Sequence, residues 1–541
     1  MWSSRLIAGL ALAGSVSAVS PTVGLDYATY EGTQLNNGIT QWLGLRYAAP
    51  PVGDLRFAAP QDPLKENSTV SAAEHGKVCL ATGATGSVAP DDEKDEDCLF
   101  LDVYAPSNAT AESELPVFFF IQGGGFNSLS NANYNGSGIV LAAEYDAIVV
   151  VLNYRVGIYG FLAGAEVEKD GSINAGLHDQ RKALEWVQKY ICQFGGNPKH
   201  VTLGGASAGA QSVVLHVTAY GGRDDGLFHA SAAESQSFSA LRTIEESQFA
   251  YDNIVIRTGC TSSNDTLACL RNLTATELQY ENFVTPFPGA QKAPLYMFGP
   301  VLDYDFISDY TISLYEQGKF IKVPAIYGGA TNEGTGFAYK NISTYGQSST
   351  FLQSQFPALT PSQLGKINSL YPVEDTIQNF PNASRFWRQA SDAYGDLRYT
   401  CPGQLVSGLL TNYSVPSWNY HWNVIDPPAN ASGDGVKHTI DVQAIFGPEY
   451  TLGDAPDSYK VGGVNHAIVD VAQGYWTSFI RTFDPNASRR AGTPVWEEWA
   501  SSGLDGRRLR FETNSTAMEG ISLKQVEKCE FTTSIGVAIK Q

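Results

Sequence analysis

A β-rich run that ends in glycines and continues into a helix-compatible run constrains the fold of this chain more than any other segment. Val201-Thr202-Leu203 leads into Gly205-Ala206-Ser207-Ala208-Gly209, and the run from Ala210 to Val217 follows. Glycines two residues to each side of Ser207 relieve the crowding of a sharp turn between a strand and a helix. The segment therefore predicts a parallel strand with Ser207 at its carboxyl end and the Ser207 hydroxyl exposed.

Further apolar, β-rich runs followed by glycine-rich turns predict the other strands of one large sheet. Continuous hydrophobicity is typical of parallel strands that are covered on both faces. Between two of these runs, a helical spacing of apolar residues from Leu177 to Ile191 predicts the crossover helix that parallel strands require. With no repeat or linker in the sequence, we expect an α/β fold, mostly parallel, in a single domain over residues 19–541. The clearest strand candidates are Leu115 to Ile121, Ala147 to Asn153, Val201 to Leu203 and Val323 to Gly328.

A glycine run follows the first of these strands. Gln122-Gly123-Gly124-Gly125-Phe126 would present consecutive backbone N–H groups with no side chains in the way, which is what an oxyanion needs. A flexible or tight turn explains most glycine runs. The serine turn downstream favours the catalytic interpretation, because acyl transfer requires both parts, and the N–H of Ala208 is then a further predicted donor.

A serine nucleophile needs a base, and the chain has eight histidines. If the chain order is nucleophile, acid, base, the histidine lies well after Ser207. His421 lies in a strand-like segment and is interpreted as structural, and His466 lies at a helix start. His438 follows a glycine-containing loop from which an imidazole can reach back to the site. Position alone favours His438 without excluding the other two.

The acid candidate is Glu333. Asn332-Glu333-Gly334 directly follows the predicted strand that ends at Gly328, at the edge of the sheet where ligands collect. A solvated loop carboxylate is the commoner role of a glutamate.

The first eighteen residues have the pattern of a secretory signal peptide. Arg5 lies in a short polar start, Leu6 to Ala13 is apolar, and Val16-Ser17-Ala18 is a small-residue cleavage site. A membrane anchor needs about 20 uninterrupted apolar residues, and glycine and serine interrupt this run. We expect a secreted, extracellular product with no stable membrane anchor. A net charge of −20 argues against nucleic acid as a partner, and the oligomeric state is open.

Seven cysteines fit an oxidising compartment with three disulfides and one free thiol. Pairing of sequence neighbours predicts Cys79 with Cys98 and Cys260 with Cys269, which leaves Cys401 with Cys529 to tie the C-terminal segment to the body. Cys192 is then free. Its place in an apolar helical run predicts a small core residue rather than a nucleophile.

Eleven Asn-x-Ser/Thr sequons agree with export and predict N-linked glycans in a eukaryotic host. No cysteine or histidine spacing resembles a zinc site. The acidic run Asp91 to Asp97 lacks the central glycine of a calcium loop and is interpreted as a solvated segment, so we expect no metal and no cofactor. The sequons begin at Asn67, Asn108, Asn135, Asn264, Asn272, Asn341, Asn382, Asn412, Asn430, Asn486 and Asn514.

Six motifs carry a resemblance to a known family: Gly44 to Gly53, Glu96 to Tyr104, Gly123 to Phe126, Gly205 to Gly209, Thr331 to Gly334, and His438 with Asp441 and Ile445-Phe446-Gly447. From about Tyr27 to Phe531 the chain resembles the type B carboxylesterase and lipase family, the cholinesterase-like α/β-hydrolases, and in style its fungal secreted members. The resemblance implies the α/β-hydrolase fold, with helices on both faces of the sheet, and hydrolysis of carboxylic esters.

Matched motif by motif, the resemblance implies Ser207 as nucleophile, Glu333 as acid and His438 as base. It also implies the N–H groups of Gly124, Gly125 and Ala208 as oxyanion donors. It supports the Cys79–Cys98 bridge and suggests that the Ser235 hydroxyl lies beside the triad.

One departure from the family concerns Ala206, where most members have Glu. The turn tolerates Ala, but a carboxylate near the imidazolium is absent, which favours uncharged substrates or weakens stabilisation of the transition state. We expect activity to survive.

The loop between the first two cysteines bears on substrate class. Lipases of the family carry a long amphipathic lid there, whereas Leu80 to Asp97 is rich in Ala, Gly, Ser and acidic residues and has no apolar stripe. This favours an esterase acting on soluble short- to medium-chain esters over an interfacial lipase. A non-catalytic binding module, as in relatives that have lost the nucleophile, is disfavoured because the whole triad is present.

Overall fold

The computed structural model of the protein describes residues 20–83, 89–129, 133–373, 380, 382–451, 453 and 455–541. The predicted signal peptide, residues 1–18, lies outside the described residues, as does part of the predicted lid loop, residues 84–88. The described strands are β1 Thr22–Gly24, β2 Thr29–Glu31, β3 Thr33–Gln34, β4 Ile39–Arg46, β5 Thr69–Ser71, β6 Val78–Cys79, β7 Lys94–Asp95, β8 Phe100–Pro106, β9 Leu115–Ile121, β10 Ile148–Leu152, β11 Gly196–Ala206, β12 Ala230–Glu234, β13 Arg242–Thr243, β14 Val301–Leu302, β15 Ala325–Ala330, β16 Ser417–Trp422, β17 Arg507–Phe511 and β18 Ala517–Gly520.

Helices connect most of these strands. Most of the short helices lie in the connections between strands. The three longest helices, α4, α5 and α16, pack on the sheet. A π-helical turn, Asp396–Thr400, joins α12 to α13. The described α-helices are α1 Ser137–Ala142, α2 Gly157–Phe161, α3 Ala165–Asp170, α4 Ala175–Tyr190, α5 Ala208–Gly222, α6 Ile244–Arg257, α7 Thr266–Asn272, α8 Ala275–Tyr280, α9 Thr311–Glu316, α10 Tyr345–Gln355, α11 Pro361–Leu370, α12 Arg385–Gly395, α13 Cys401–Asn412, α14 Pro427–Ala431, α15 Ile440–Phe446, α16 His466–Thr482 and α17 Leu523–Ser534.

An eleven-stranded sheet forms the centre of the fold, in the order β18-β17-β16-β15-β12-β11-β9-β10-β8-β4-β3. The inner strands from β17 to β10 run parallel to one another, and antiparallel strands complete both sides. The prediction of a large, mostly parallel sheet is confirmed. Because the inner strands are parallel, the turns that follow β9, β11, β12 and β15 meet at one edge.

Side chains that alternate along each inner strand enter two different cores. Phe118 and Phe120 of β9 pack on one face, with α1, α15 and α16, whereas Phe119 and Ile121 pack on the other, with α4, α5 and α13. Coverage of both faces explains why these strands read as continuous apolar runs. A third, smaller core is formed by α10, α11 and α12.

The predicted elements agree closely with the structure. The run from Leu115 to Ile121 is β9, the candidates at 147–153 and 323–328 lie within two residues of β10 and β15, and the amphipathic segment is α4. The candidate Val201 to Leu203 is the middle of a longer strand, β11. The single-domain organisation over residues 19–541 stays a prediction. None of the helices in the described ranges is long and apolar enough to cross a membrane.

Three disulfides join the six cysteines in the expected pairs: Cys79–Cys98, Cys260–Cys269 and Cys401–Cys529. The expectation for Cys192 is wrong, because its side chain is exposed rather than in the core. Helix α4 ends at Tyr190 and a tighter 3₁₀ turn, Ile191–Phe194, follows. The change in rotation per residue directs position 192 away from the face that α4 buries.

Candidate active site

The turn between β11 and α5 holds Ser207 in an uncommon backbone conformation, with φ 59° and ψ −116°. The Ser207 N–H donates a hydrogen bond to the Glu234 carbonyl at 3.0 Å. A Cβ atom on Gly209 would lie 1.9 Å from the Ile121 carbonyl oxygen, and one on Gly205 would lie 2.5 Å from the Gly209 carbonyl oxygen. Both flanking glycines are therefore required by close packing, and the turn stores strain of the kind found at functional sites.

The glycine turn after β9 lies against Ser207. A Cβ atom on Gly123 would lie 2.9 Å from the Ser207 Cβ. Gly124 and Gly125 both have positive φ, 113° and 64°, which favours glycine. Among the described residues, none accepts a hydrogen bond from the N–H of Gly124, Gly125 or Ala208. The three predicted oxyanion donors thus lie on two turns that are in contact.

His438 and Glu333 are hydrogen-bonded to one another through His438 Nδ1 and Glu333 Oε2. Glu333 is buried, and its other oxygen accepts a hydrogen bond from the Ala330 N–H at 2.6 Å. His438 Nε2 is also buried and has no hydrogen-bond partner within the described ranges. When Nδ1 donates its proton to the carboxylate, Nε2 keeps a lone pair and can accept a proton.

Two loops are bonded together to bring this pair into register. The Asn332 N–H donates to the Val436 carbonyl at 2.9 Å, and the Val436 N–H donates to Asn332 Oδ1 at the same distance. A Cβ atom on Gly334 would lie 1.8 Å from the Ser391 carbonyl oxygen. The predicted motif around Glu333 therefore consists of the acid, a side chain that holds the histidine loop, and a glycine that lets α12 approach.

The end of β12 connects the serine turn to the histidine loop. The Glu234 carbonyl accepts from the Ser207 N–H, and the next residue, Ser235, accepts through Oγ from the Thr439 N–H at 3.0 Å. Thr439 adopts a left-handed conformation, φ 58°, directly after His438. The expected Ser235 hydroxyl thus lies beside the histidine and fixes its backbone.

A buried glutamic acid that sequence reasoning missed lies next to Ala206. Glu234 is the register partner of Ala206 on the neighbouring strand, so both side chains are on the same face of the sheet. Trp476 Nε1 donates to Glu234 Oε1 at 2.6 Å, and Oε2 has no partner among the described residues. Burial raises the pKa of Glu234 to about 8. A buried carboxyl group is therefore present one strand away from position 206, and its raised pKa favours the protonated form at neutral pH.

A second buried acid, Asp441, lies on α15 close to the histidine loop. Burial raises its pKa to about 6, and the Tyr420 hydroxyl donates a hydrogen bond to Oδ2. Asp441 belongs to one of the motifs that carry the family resemblance, but no role for it was inferred from the sequence.

Aromatic rings surround the imidazole of His438. The ring centre of Tyr399 is 4.3 Å away and that of Phe337 is 5.0 Å away. Tyr399 belongs to the π-helical turn, whose side-chain directions a regular helical period does not predict. Sequence reasoning missed Tyr399 for that reason, and it also missed Phe337, which lies in the turn region after β15.

The other two candidate histidines, His421 and His466, lie elsewhere in the fold. His421 lies on β16, where Nδ1 bonds to Glu519 and Nε2 to Thr331, in keeping with a structural role, and His466 begins α16. The acidic run is not wholly solvated as expected, because Glu96 is buried in an ion pair with Arg56.

The sequon asparagines are mostly exposed. Asn135 and Asn486 are only partly exposed. Asn486 Nδ2, the atom that would carry a glycan, donates to the Trp496 carbonyl at 3.0 Å, and Asn486 Oδ1 accepts from the Trp496 N–H. We therefore expect no glycan at Asn486, and glycosylation of the others stays a prediction.

Comparison with known proteins agrees with this geometry. Residues 19–531 match the model of the Carboxylesterase family. Lipase 1 of Geotrichum candidum is 33% identical over 575 residues, covering 96% of this chain and 98% of the relative, and Secreted lipase 4 of Gibberella zeae is 28% identical over 93% of this chain and 91% of its own length. The crystal structure of Aspergillus niger EstA aligns with a TM-score of 0.92 and 42% identity over 97% of this chain and 99% of that one. The chain therefore belongs to the carboxylesterase family and is a carboxylic ester hydrolase with the α/β-hydrolase fold.

Proposed function

We propose that this protein is a secreted esterase that hydrolyses soluble short- to medium-chain esters through an acyl-enzyme on Ser207. The observation that carries the proposal is the hydrogen bond between Glu333 and His438, which leaves His438 Nε2 buried and unpartnered. A base prepared in this way, at the edge where the strained serine turn and the glycine turn meet, supports acyl transfer.

In the first half of the reaction, Ser207 Oγ attacks the ester carbonyl carbon while His438 Nε2 takes the hydroxyl proton. Glu333 holds the ring in the required tautomer and stabilises the imidazolium. The tetrahedral oxyanion accepts hydrogen bonds from the N–H groups of Gly124, Gly125 and Ala208, each such donor contributing about 3 kcal/mol to the transition state. Collapse breaks the bond to the alcohol, which leaves with the proton from Nε2.

In the second half, water attacks the acyl-enzyme and gives a proton to the same imidazole. The second oxyanion uses the same donors, the acid is released, and the proton returns to Ser207 Oγ. The two half-reactions need no external oxidant, reductant or cofactor.

The preference for soluble esters rests on the loop between Cys79 and Cys98. Its described residues, 80–83 and 89–97, form no helix. Strands β6 and β7 pair beside the disulfide, and Lys77 bonds to Asp95, which holds the loop against the body. An interfacial lipase is the second candidate, because the relatives from Geotrichum candidum and Gibberella zeae are named lipases.

Secretion is supported from two directions. Relatives from Gibberella zeae and Botryotinia fuckeliana are named secreted lipases. The three disulfides are typical of an oxidising compartment.

The test is hydrolysis of p-nitrophenyl esters from acetate to palmitate, below and above their solubility limits. We expect highest kcat/KM with short acyl chains and no jump at the interface. Ser207→Ala should lower kcat by about 10⁴-fold or more, whereas Ser113→Ala, an exposed loop serine, should leave it unchanged. A long-chain preference with interfacial activation would favour the lipase, and failure of an organophosphonate to label Ser207 would point to a non-catalytic module.

A further inference from the structure

A small cavity with an open mouth lies beside the glycine turn that carries the predicted oxyanion donors. Gly125 and Phe126 form part of its wall, next to the aromatic ring of Tyr296. Two arginines also line this cavity, which we call the arginine cavity. Its polar lining comprises Ser239, Arg242, Tyr296, Gln355 and Arg398.

Arg398 is buried, with only 5% of its surface exposed, and lies on the π-helical turn Asp396–Thr400. Its guanidinium carbon lies 5.6 Å from the ring centre of Tyr399 and 5.8 Å from that of Tyr296. Arg398 Nε has no hydrogen-bond partner in the described ranges. Interruptions of this kind in a helix frequently occur at functional sites.

Arg398 differs from the other buried arginines in having no carboxylate. Arg56, Arg155 and Arg181 are also buried, and each forms an ion pair with Glu or Asp. No carboxylate or carbonyl among the described residues accepts a hydrogen bond from the Arg398 side chain, whose polar neighbours are the phenols of Tyr394 and Tyr399. A buried charge without a counter-ion is costly, and this chain has 55 acidic residues from which a counter-ion could have been drawn.

Arg242 adds a second cation to the same cavity. Its Nη2 donates to the Met297 carbonyl at 2.6 Å, and its Nε has no partner among the described residues. Burial lowers the pKa of Arg242 to about 10, so it stays charged at neutral pH. The nearby Glu246 bonds to Lys540 instead.

The cavity is close to the reacting groups through two aromatic rings. The centre of the Tyr399 ring is 5.6 Å from the Arg398 guanidinium carbon and 4.3 Å from the centre of the His438 ring, so the guanidinium carbon lies within about 10 Å of the imidazole. On the other side, a Cβ atom on Gly125 would lie 2.3 Å from the Tyr296 ring. The separation between Arg398 and the His438 ring is thus comparable with the length of a short dicarboxylic acid and its hydrogen bonds.

We propose that Arg398, assisted by Arg242, binds a carboxylate carried by the ester substrate, so that the enzyme prefers hemiesters of short dicarboxylic acids to neutral esters of the same length. The inference rests on the proposed function and names its substrate class. A planar guanidinium matches a carboxylate with two parallel hydrogen bonds. The bound carboxylate does not react, and the ester at the other end of the acyl chain is hydrolysed as above.

The first experiment uses the wild-type protein. Hydrolysis of ethyl hydrogen glutarate is compared by pH-stat with that of the half-amide ester in which CONH₂ replaces the carboxylate. We expect kcat/KM to be about 10- to 100-fold higher for the hemiester and the ratio to fall as NaCl is added. A second pair tests whether the enzyme recognises a carboxylate on the alcohol part of the ester instead: 3-acetoxypropanoate carries the carboxylate there, and butyl acetate is its neutral counterpart. Equal rates within both pairs would overturn the proposal.

The second experiment assigns the preference to Arg398. Arg398→Gln should lower kcat/KM for the hemiester by about 10- to 100-fold, mainly through KM, and change the half-amide ester by less than about threefold. Arg398→Lys should retain part of the preference. Arg223→Gln, which removes an exposed arginine over a tyrosine ring, is the control and should change neither substrate.

Equal loss on both substrates in Arg398→Gln and Arg398→Lys would mean that Arg398 is structural, and would overturn the assignment. If Arg398→Gln does not fold, the wild-type ratio and Arg398→Lys decide. Failure of this inference is distinguishable from failure of the proposed function. In the first case p-nitrophenyl acetate is still hydrolysed and the activity is lost in Ser207→Ala, and in the second no ester is turned over.

Discussion

Replacement of Glu234 by glutamine should stabilise the protein in alkaline solution and leave it almost unchanged in acid. The glutamine keeps the oxygen that accepts from Trp476 Nε1 and has nearly the same volume. It cannot ionise. Glu234 is 1% exposed and close to Asp441, another buried acid, so its negative charge is disfavoured in the folded protein.

The size of the stability difference follows from the pKa of Glu234 in the unfolded and in the folded protein. Burial raises the pKa of Glu234 from 4.5 to about 8 in the folded protein. Below pH 4.5 the group is protonated in both states and the two proteins should have similar stability. Between pH 4.5 and 8 the unfolded chain loses the proton and the folded one retains it, so wild-type stability falls as the pH rises through this range. The full separation corresponds to about 5 kcal/mol.

The assay is the midpoint of thermal unfolding at pH 4.5, 6.5 and 8.5, at one scan rate. For a chain of this length, about 1 kcal/mol corresponds to about 1 °C. Glu234→Gln should therefore gain about 4 to 5 °C over wild type at pH 8.5 and less than about 1 °C at pH 4.5. Glu112→Gln, an exposed loop residue, is the control and should show no trend. A difference that is constant with pH would refute the argument, because it would mean that Glu234 is not protonated in the folded state.

Two further predictions test the neighbourhood of the site. Ala206→Glu should lower the free energy of unfolding at pH 7 by about 2 to 3 kcal/mol, because a second carboxyl group would be buried beside Glu234. The double variant with Glu234→Ala should recover part of that loss. If the effects of the two substitutions on urea unfolding are strictly additive, the two positions are not coupled and the prediction is wrong. Replacing both Cys401 and Cys529 by serine should cost about 4 to 5 kcal/mol, since the bond closes a loop with a sequence separation of 128 residues. The midpoint of urea unfolding measures the disulfide effect, and a cost below about 1 kcal/mol would contradict it.

The strands and the serine turn could be predicted because their signals are local. The glycines at 205 and 209 follow from the close approach of backbone atoms at one sharp turn, and the apolar run of β9 follows from coverage on both faces. Such signals do not depend on how distant parts of the chain pair. Position alone left His438 one of three candidates, and the bonded loops around Asn332 decide the choice in space.

The groups that could not be predicted depend on registers that the sequence does not display. Glu234 lies beside Ala206 only because β11 and β12 pair in one particular alignment. Tyr399 lies against His438, and Arg398 lines the neighbouring cavity, where the helix widens into a π-helical turn between α12 and α13. The prediction that Cys192 lies in the core was wrong for a related reason, since a 3₁₀ turn replaces the expected continuation of α4.

The exposed Cys192 offers a practical means of attachment. It precedes the amino end of β11, whereas Ser207 follows the carboxyl end of the same strand. The length of β11, which pairs with the residues of β9 from Leu115 to Ile121, separates the two by about 20 Å at a rise of about 3.3 Å per residue. Coupling to a maleimide-coated support through this thiol would turn the edge of the sheet that carries the proposed active site outward into the flowing solution. Orientation on the support would then come from the native sequence, without an engineered tag.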